Sequence, residues 1–355
     1  MKKWAINISK YLVFLAIGVF IFWWIYKDLP IEELKNAFKN INYFWIVVSL
    51  ILGVLAQISR AIRWNMLIRP MGYKPRFYNT FLSVLILYFI NLLAPRAGEV
   101  VRCTVLSKYE KIPFTKLVGT VFVERLADTV TLVLLAFMII ITQLGIFVKF
   151  FHAHPEMQDK LTALFSVRNI LLGVAGLLVI IILFFVMRKY YRKRSGENKS
   201  KLIIRLKHIK YEVVEGIRSI LKLENKWYFI GHTLFIFIMW LFMLYVIFLA
   251  YEPTKHLSLW TGMIVFLMGG LAMIAPVQGG IGPWHFMVYE TLFIYGIDKA
   301  QGKIFALIAH TSTNIIYYLI FGMVAFILLP VLNNSRSSKK SSTINQEALS
   351  DLNCR

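Results

Sequence analysis

Cysteine is almost missing from this chain: Cys103 and Cys354 are the two among 355 residues. One stands beside an apolar motif and the other in a polar tail, which argues against a disulfide framework or a Cys-based metal site. Both read as free thiols. Charge is scarce as well, at 16% of residues, where an ordinary soluble domain carries about 25%. Acids are scarcer still, with 18 Asp and Glu against 40 Lys and Arg. No nucleotide-binding motif occurs, and the apolar runs lack the period-2 alternation of barrel strands. No small-residue cleavage site follows the first apolar run, so the N-terminus reads as a retained span rather than a removed signal peptide.

What the chain has instead is apolar length: 58% hydrophobic residues and a mean hydropathy of +0.65. A helix needs roughly 20 apolar residues to cross a hydrocarbon core of about 30 Å. The best stretches are Tyr11–Tyr26, Phe44–Gln57, Val118–Ile146, Asn169–Met187, Trp227–Tyr251 and Ile304–Leu332. Backbone polar groups in hydrocarbon must be satisfied internally, so these stretches are helices. The class is an all-α polytopic membrane protein.

The formal charge of +22 sits at the ends of apolar runs, which is the positive-inside pattern of a membrane protein and not a nucleic-acid footprint. Lys2, Lys3 and Lys10 put the N-terminus in the cytoplasm. After the second span, Arg60, Arg63, Arg69, Lys74 and Arg76 form a cytoplasmic signature. Two apolar runs then break the alternation: Tyr78–Ala94 stops at Pro95 and Leu259–Ala275 stops at Pro276. If both crossed fully, the connection Arg188–Lys226, with thirteen Lys and Arg against four Glu, would lie outside. Two proline-broken re-entrant hairpins entering from opposite faces keep it inside. About six full spans plus these hairpins are therefore expected, in a cell (inner) membrane, with both termini cytoplasmic. The alternative is a nearly complete crossing by tilted helices.

The two breaks align without a gap, Leu92-Leu93-Ala94-Pro95-x-x-Gly98 against Met273-Ile274-Ala275-Pro276-x-x-Gly279, at a separation of 181 positions. They read as an inverted repeat, an organisation that places transporter sites where broken helices meet. Chance is the competing reading, since Pro and Gly are common at membrane helix ends. The segment 188–226 reads as a basic connection carrying an amphipathic helix on anionic inner-leaflet lipids. Residues 333–355 read as a disordered tail after a membrane domain spanning 1–332.

The densest chemistry is Arg96, Gly98, Glu99 and Arg102 together with Glu124, Arg125 and Asp128. Charges beside or within an apolar run persist when they pair or face a watery cavity. Glu124 and Asp128 share a helical face, Arg125 is offset toward a neighbouring hairpin, and Arg96 and Arg102 are candidates to meet the acids. A purely structural ion-pair network is the competing reading. A helix restarting at mid-depth offers free N–H groups to an anion, and Gly98, Gly279, Gly280 and Gly282 let backbone approach a ligand. His285 follows the second break. His310 and Asn314 share a face at i, i+4, a spacing better suited to interhelical hydrogen bonds than to a metal. Arg60 and Arg63 read as lipid-surface residues, holding a phosphate or snorkelling.

At Pro95-Arg96-x-Gly98-Glu99-x-x-Arg102, Glu124-Arg125-x-x-Asp128 and Pro276-x-x-Gly279-Gly280-x-Gly282, the chain resembles the lysylphosphatidylglycerol synthase transmembrane-region family over roughly Leu12–Leu332. The resemblance implies helical spans with re-entrant elements and movement of lipid headgroups between leaflets. The chain departs from the pattern at Gln278, where a second proline is expected, and at His285, where an acid is usual. No soluble synthase part is present, so lipid aminoacylation is not inherited.

The expected function is therefore translocation of a phospholipid or isoprenoid-linked lipid with an anionic headgroup, without cofactor or nucleic acid. Arg96, Arg102 and Arg125 would contact phosphate. Two other classes stay open: a membrane-embedded transferase using Glu99, Glu124 or Asp128 as general base, and a non-transporting partner of a lipid synthase. Assembly as a homo-oligomer stays open as well.

Overall fold

A computed structural model describes residues 19–94, 96–145, 211–273, 275 and 277–334. Pro95, Pro276, the expected span Asn169–Met187, the basic connection before 211 and the tail from 335 onward lie outside them. The chain divides into two compact units, Met1–Ala136 with Val213–Arg355, and Phe137–Glu212. All that follows concerns the first, apart from the end of one long helix.

The regular elements among the described residues are helical, as the composition requires. A short amphipathic helix α1 (Ile31–Asn40) leads into α2 (Tyr43–Ile68). Asn42 caps α2 by accepting from Phe44 N at 3.1 Å, and Gly72, in the left-handed region, closes the turn behind it. Then come α3 (Phe77–Leu93), α4 (Gly98–Glu110) and α5 (Phe114–Thr142). After the undescribed segment follow α6 (Lys226–Ala250), α7 (Leu259–Ala272), α8 (Pro283–Ile294) and α9 (Lys299–His310). A π-helical segment, Thr311–Ile316, continues α9 toward Asn334. By length and composition, four of the described helices can cross a membrane: Tyr43–Met71, Phe114–Thr142, Lys226–Ala250 and Lys299–Asn334. The chain is a multi-pass membrane protein.

The first of these corrects a boundary read from hydropathy alone. The apolar run ends at Gln57, yet α2 continues for three more turns through Arg60, Arg63 and Asn65. Polar residues extend the helix because each finds a partner inside the protein, which hydropathy cannot register.

Helices α3 and α4 form an antiparallel pair. Near its open end Asn79 Nδ2 donates to Glu110 Oε1 at 2.5 Å, and near the break Gly98 N donates to Asn91 Oδ1 at 2.9 Å. Ala94 is extended, as a residue before proline should be. A Cβ on Gly98 would stand 2.1 Å from Leu87 O, so only glycine lets α4 start this close to α3. Val84, Cys103 and Leu106 seal the pair against Trp64 and Ile68 of α2. Helices α7 and α8 pack together through Val265, Ala272, Trp284 and Val288, in a second core that also takes in α1, α6 and α9. Here the chain turns through left-handed Gly279 (φ 58°), Gly280 (φ 71°) and Gly282 (φ 92°).

Candidate functional site

Two rungs of charge face each other between α2 and α5. Arg60 and Arg63 are three apart on α2, Glu124 and Asp128 four apart on α5, so each pair presents along one side of its helix. Asp128 Oδ2 accepts from Arg60 Nη2 at 2.8 Å, while its Oδ1 lies 2.7 Å from Arg63 Nη1. Glu124 Oε1 accepts from Arg63 at 3.5 Å, and its Oε2 accepts from Arg102 Nη2 at 2.6 Å. Helix α4 adds Glu99, whose carboxylate lies 2.8 Å from Arg102 Nε and 3.4 Å from Arg125 Nη1. Arg125 in turn reaches Asp128 at 2.9 Å. Seven side chains from three helices thus form one continuous network.

Aromatic rings hold the guanidinium planes. Arg102 lies over Trp64 at 4.4 Å, and Arg60 lies 5.6 Å from the Tyr88 ring centre and 5.2 Å from that of Trp240. Arg60 Nη1 also donates to the Tyr88 hydroxyl. Arg63 lies over Phe229 and donates to Thr233 Oγ1 at 3.1 Å. A planar, always-charged cation suits such stacking, and lysine would not replace it. Arg60, Arg63, Arg102 and Glu124 are almost wholly excluded from the surface. Removing one partner from a buried pair costs about 3–5 kcal/mol, because the other charge is stranded.

The network is not neutral. Four arginines meet three carboxylates, leaving one positive charge in surplus. The Nε donors of Arg60, Arg63 and Arg125 and Nη1 of Arg102 are buried and meet no acceptor. Arg60, Arg125 and Asp128 also border a cavity of about 440 Å³ that reaches across to α6, α7, α8 and the π-helical segment. Its walls are otherwise apolar and aromatic, with Thr129, Thr313 and Asn314 as neutral polar groups. Arg60 and Arg125 thus give an otherwise apolar cavity a positive edge.

The residues expected from sequence divide accordingly. Glu99, Arg102, Glu124, Arg125 and Asp128 come together, and Gly98 permits the close approach that brings α4 among them. Of the two arginines expected to meet the acids, Arg102 does so; Arg96 stands exposed in the left-handed region (φ 63°) and takes no part in these contacts. Arg60 and Arg63 are not surface residues: at 1% and 0% exposure they form the α2 side of the network. Buried carboxylates on α5 hold them inside, where snorkelling to a lipid surface is unavailable.

Gly279, Gly280, Gly282 and His285 gather elsewhere, around α8. His285 Nδ1 accepts from Gly282 N at 3.3 Å, His310 Nε2 bonds Gly279 O at 2.7 Å, and the two imidazoles lie 4.5 Å apart. The second hairpin reaches the cavity through Gly270, Met273 and Trp284 instead. Among the described residues no group of three or more metal-ligating side chains occurs. Sequence reasoning missed Tyr88, Trp240 and Tyr318, since an aromatic ring inside an apolar run carries no mark of whether it meets lipid or arginine. The paired spacings of Arg60 with Arg63 and of Glu124 with Asp128 were a usable signal for the two rungs.

A family model described as lysylphosphatidylglycerol synthase TM region matches residues 11–321. A UPF0104 membrane protein of Methanocaldococcus jannaschii is 33% identical over 127 residues, which is 35% of this chain and 38% of that protein. A UPF0104 membrane protein of Pyrococcus horikoshii is 25% identical over 330 residues, covering 82% of this chain and 89% of that protein. No solved structure matches.

Proposed function

This chain belongs to the lysylphosphatidylglycerol synthase TM region family, and from that premise we propose that it moves a lipid with an anionic headgroup between membrane leaflets. The observation that carries this reading is the cavity bordered by buried Arg60 and by Arg125, 40% exposed, where the network holds one more cation than it neutralises. A phosphate entering there pairs with the guanidinium groups of Arg60 and Arg125 while acyl chains stay among the apolar walls and the surrounding lipid. Asp128 is the exchangeable partner: it is 13% exposed where Glu124 is sealed, so a phosphate can take its place on Arg60 and Arg125 and yield it again on release. Arg102, Glu99 and Glu124 are positioning residues, fixing α4 against α5. Arg96, exposed at the break, offers a first contact for an approaching headgroup.

In this reading the pairs α3–α4 and α7–α8 are re-entrant hairpins from opposite faces and form an inverted repeat, with both termini in the cytoplasm. The antiparallel course of α3 and α4, from Asn79 with Glu110 to Asn91 with Gly98, supports it. Drive comes from an ion gradient or from the lipid's own concentration difference. The transferase reading has less support, because Glu99, Glu124 and Asp128 each answer at least two guanidinium groups and none is left as a general base.

A leaflet-specific assay of fluorescent lipids in proteoliposomes tests the proposal. Purified protein should accelerate the movement of an anionic phospholipid at least tenfold over empty vesicles, and Arg125→Gln should remove most of that gain. No acceleration across anionic, zwitterionic and isoprenoid lipids would refute it.

A further inference from the structure

Two polar groups close to the arginine network have nothing to bond. Gln57 Oε1 and Tyr317 Oη are buried, each residue at 1% exposure, and neither atom meets a hydrogen-bond partner. A buried polar atom left unpaired lowers stability, and polar side chains within a membrane helix mark the course of a polar guest. We propose that Gln57 and Tyr317 form a second station for the lipid headgroup, next along α2 from the cavity at Arg60, where neutral hydrogen bonds receive the phosphate on its way between leaflets. This rests on the translocation reading above.

The station is built on one side of α2. Ser49, Gly53, Gln57 and Arg60 follow one another at spacings of four, four and three, and all are buried, so they form a row along the helix. At a rise of 1.5 Å per residue, Gln57 stands about 4.5 Å and Gly53 about 10 Å from Arg60 along the axis. Tyr317, the residue after the π-helical segment, reaches the same row. A Cβ on Gly53 would stand 2.8 Å from Tyr317 Cε2 and 3.0 Å from Cζ, the carbon that bears the hydroxyl. The phenol end therefore lies in a notch that only glycine leaves, one helical turn from Gln57. That same Cβ would stand 3.0 Å from Met243 Cε, and Met243 also borders the arginine cavity, as does Tyr318. One unbranched, flexible thioether thus touches both notch and cavity.

The two places differ in charge. At the cavity a phosphate pairs with guanidinium groups; at the notch it meets an amide and a phenol, whose N–H and O–H donors carry no formal charge. Such donors hold an anion less tightly than arginine does, and a path works when each site is attractive enough to enter and weak enough to leave. Packing fixes the Tyr317 ring, with centroids 5.4 Å from Tyr318 and 4.8 Å from Phe321, while its hydroxyl stays unpaired. Ser49 ends the row, since its hydroxyl donates to Met243 O at 2.7 Å.

Tyr317→Phe and Gln57→Met delete the unpaired groups at nearly constant volume, and the double variant tests the station. In proteoliposomes it should move fluorescent phosphatidylglycerol at least tenfold more slowly than the unsubstituted protein. Its unfolding temperature in detergent should be equal or higher, because unpaired polar atoms have been removed, and native mass spectrometry should show phosphatidylglycerol still bound at comparable occupancy. A structural role would not give slower movement with binding and stability kept. If the double variant fails to fold, each single variant carries the same test, with a loss of at least threefold expected. Unchanged movement overturns the station and leaves translocation standing. A lower unfolding temperature overturns it as well, by assigning the two groups to a buried structural water. Absence of movement by the unsubstituted protein refutes the translocation reading and the station with it.

Discussion

Around the first hairpin, carboxylates hold arginines and the restarting helix is tied by an asparagine: Asn91 takes the N–H of Gly98. Around the second, the N–H of Gly282, just before α8, is taken by the His285 ring, and His310 holds the carbonyl of Gly279. Both regions thus satisfy a broken backbone with a side chain, yet one is built from charge and the other from neutral rings. The chemistry comes from the neighbours, α2 and α5 in one case and α9 in the other.

That contrast can be broken most forcefully at Glu124. Glu124→Ala removes the network's fully buried carboxylate, leaving Arg63 only Asp128 and Arg102 only Glu99, and should lower stability by about 3 kcal/mol, read as a large drop in thermal unfolding temperature of the detergent-solubilised protein. A drop no greater than that of a surface variant would mean that water reaches the network. Next comes the glycine comparison. Gly98→Ala places a methyl 2.1 Å from Leu87 O, an overpacking that should cost about 1–3 kcal/mol. Gly279→Ala would meet Leu92 Cδ2 at an ordinary 3.7 Å but keep a left-handed backbone, so its cost should be limited to about 1 kcal/mol of strain. Reversal of that order would show that the second turn, not the first, is the tighter. Smaller again, His310→Leu removes one hydrogen bond and should cost about 1 kcal/mol in the same unfolding measurement. Labelling of Lys111→Cys and Gln301→Cys carries no energetic effect and sharpens the comparison geometrically. The two should react from opposite sides of sealed vesicles if the hairpins enter from opposite faces.

Much of this was legible in the residues. Helical class followed from apolar length without alternation. Glu124, Arg125 and Asp128 stood out because charge inside an apolar run demands a partner, and Arg102 stood out by its place behind the first break. The partners of those acids were harder to see. Arg60 and Arg63 lie past the end of an apolar run, and such a position is the same in sequence whether the helix has reached water or continues inside the protein. Only burial against α5 distinguishes the cases. The cavity was less legible still, because its aromatic wall is assembled from residues far apart in the chain, Tyr88 from α3, Trp240 from α6 and Tyr318 from beyond the π-helical segment. No local pattern announces their meeting.

That π-helical segment, Thr311–Ile316, has a further effect. In a regular helix His310 and Asn314, four apart, would point the same way. An i→i+5 turn holds about one residue more than a regular turn, which sets everything beyond it back by about 100°. One continuous helix therefore changes phase midway: its first half addresses the backbone at Gly279, and its second half lines the cavity with Thr313, Asn314 and Tyr318. Regular winding over the same number of residues would rotate one half away from its neighbours by about 100°, so the length of the chain at this point is as much a part of the cavity as its composition.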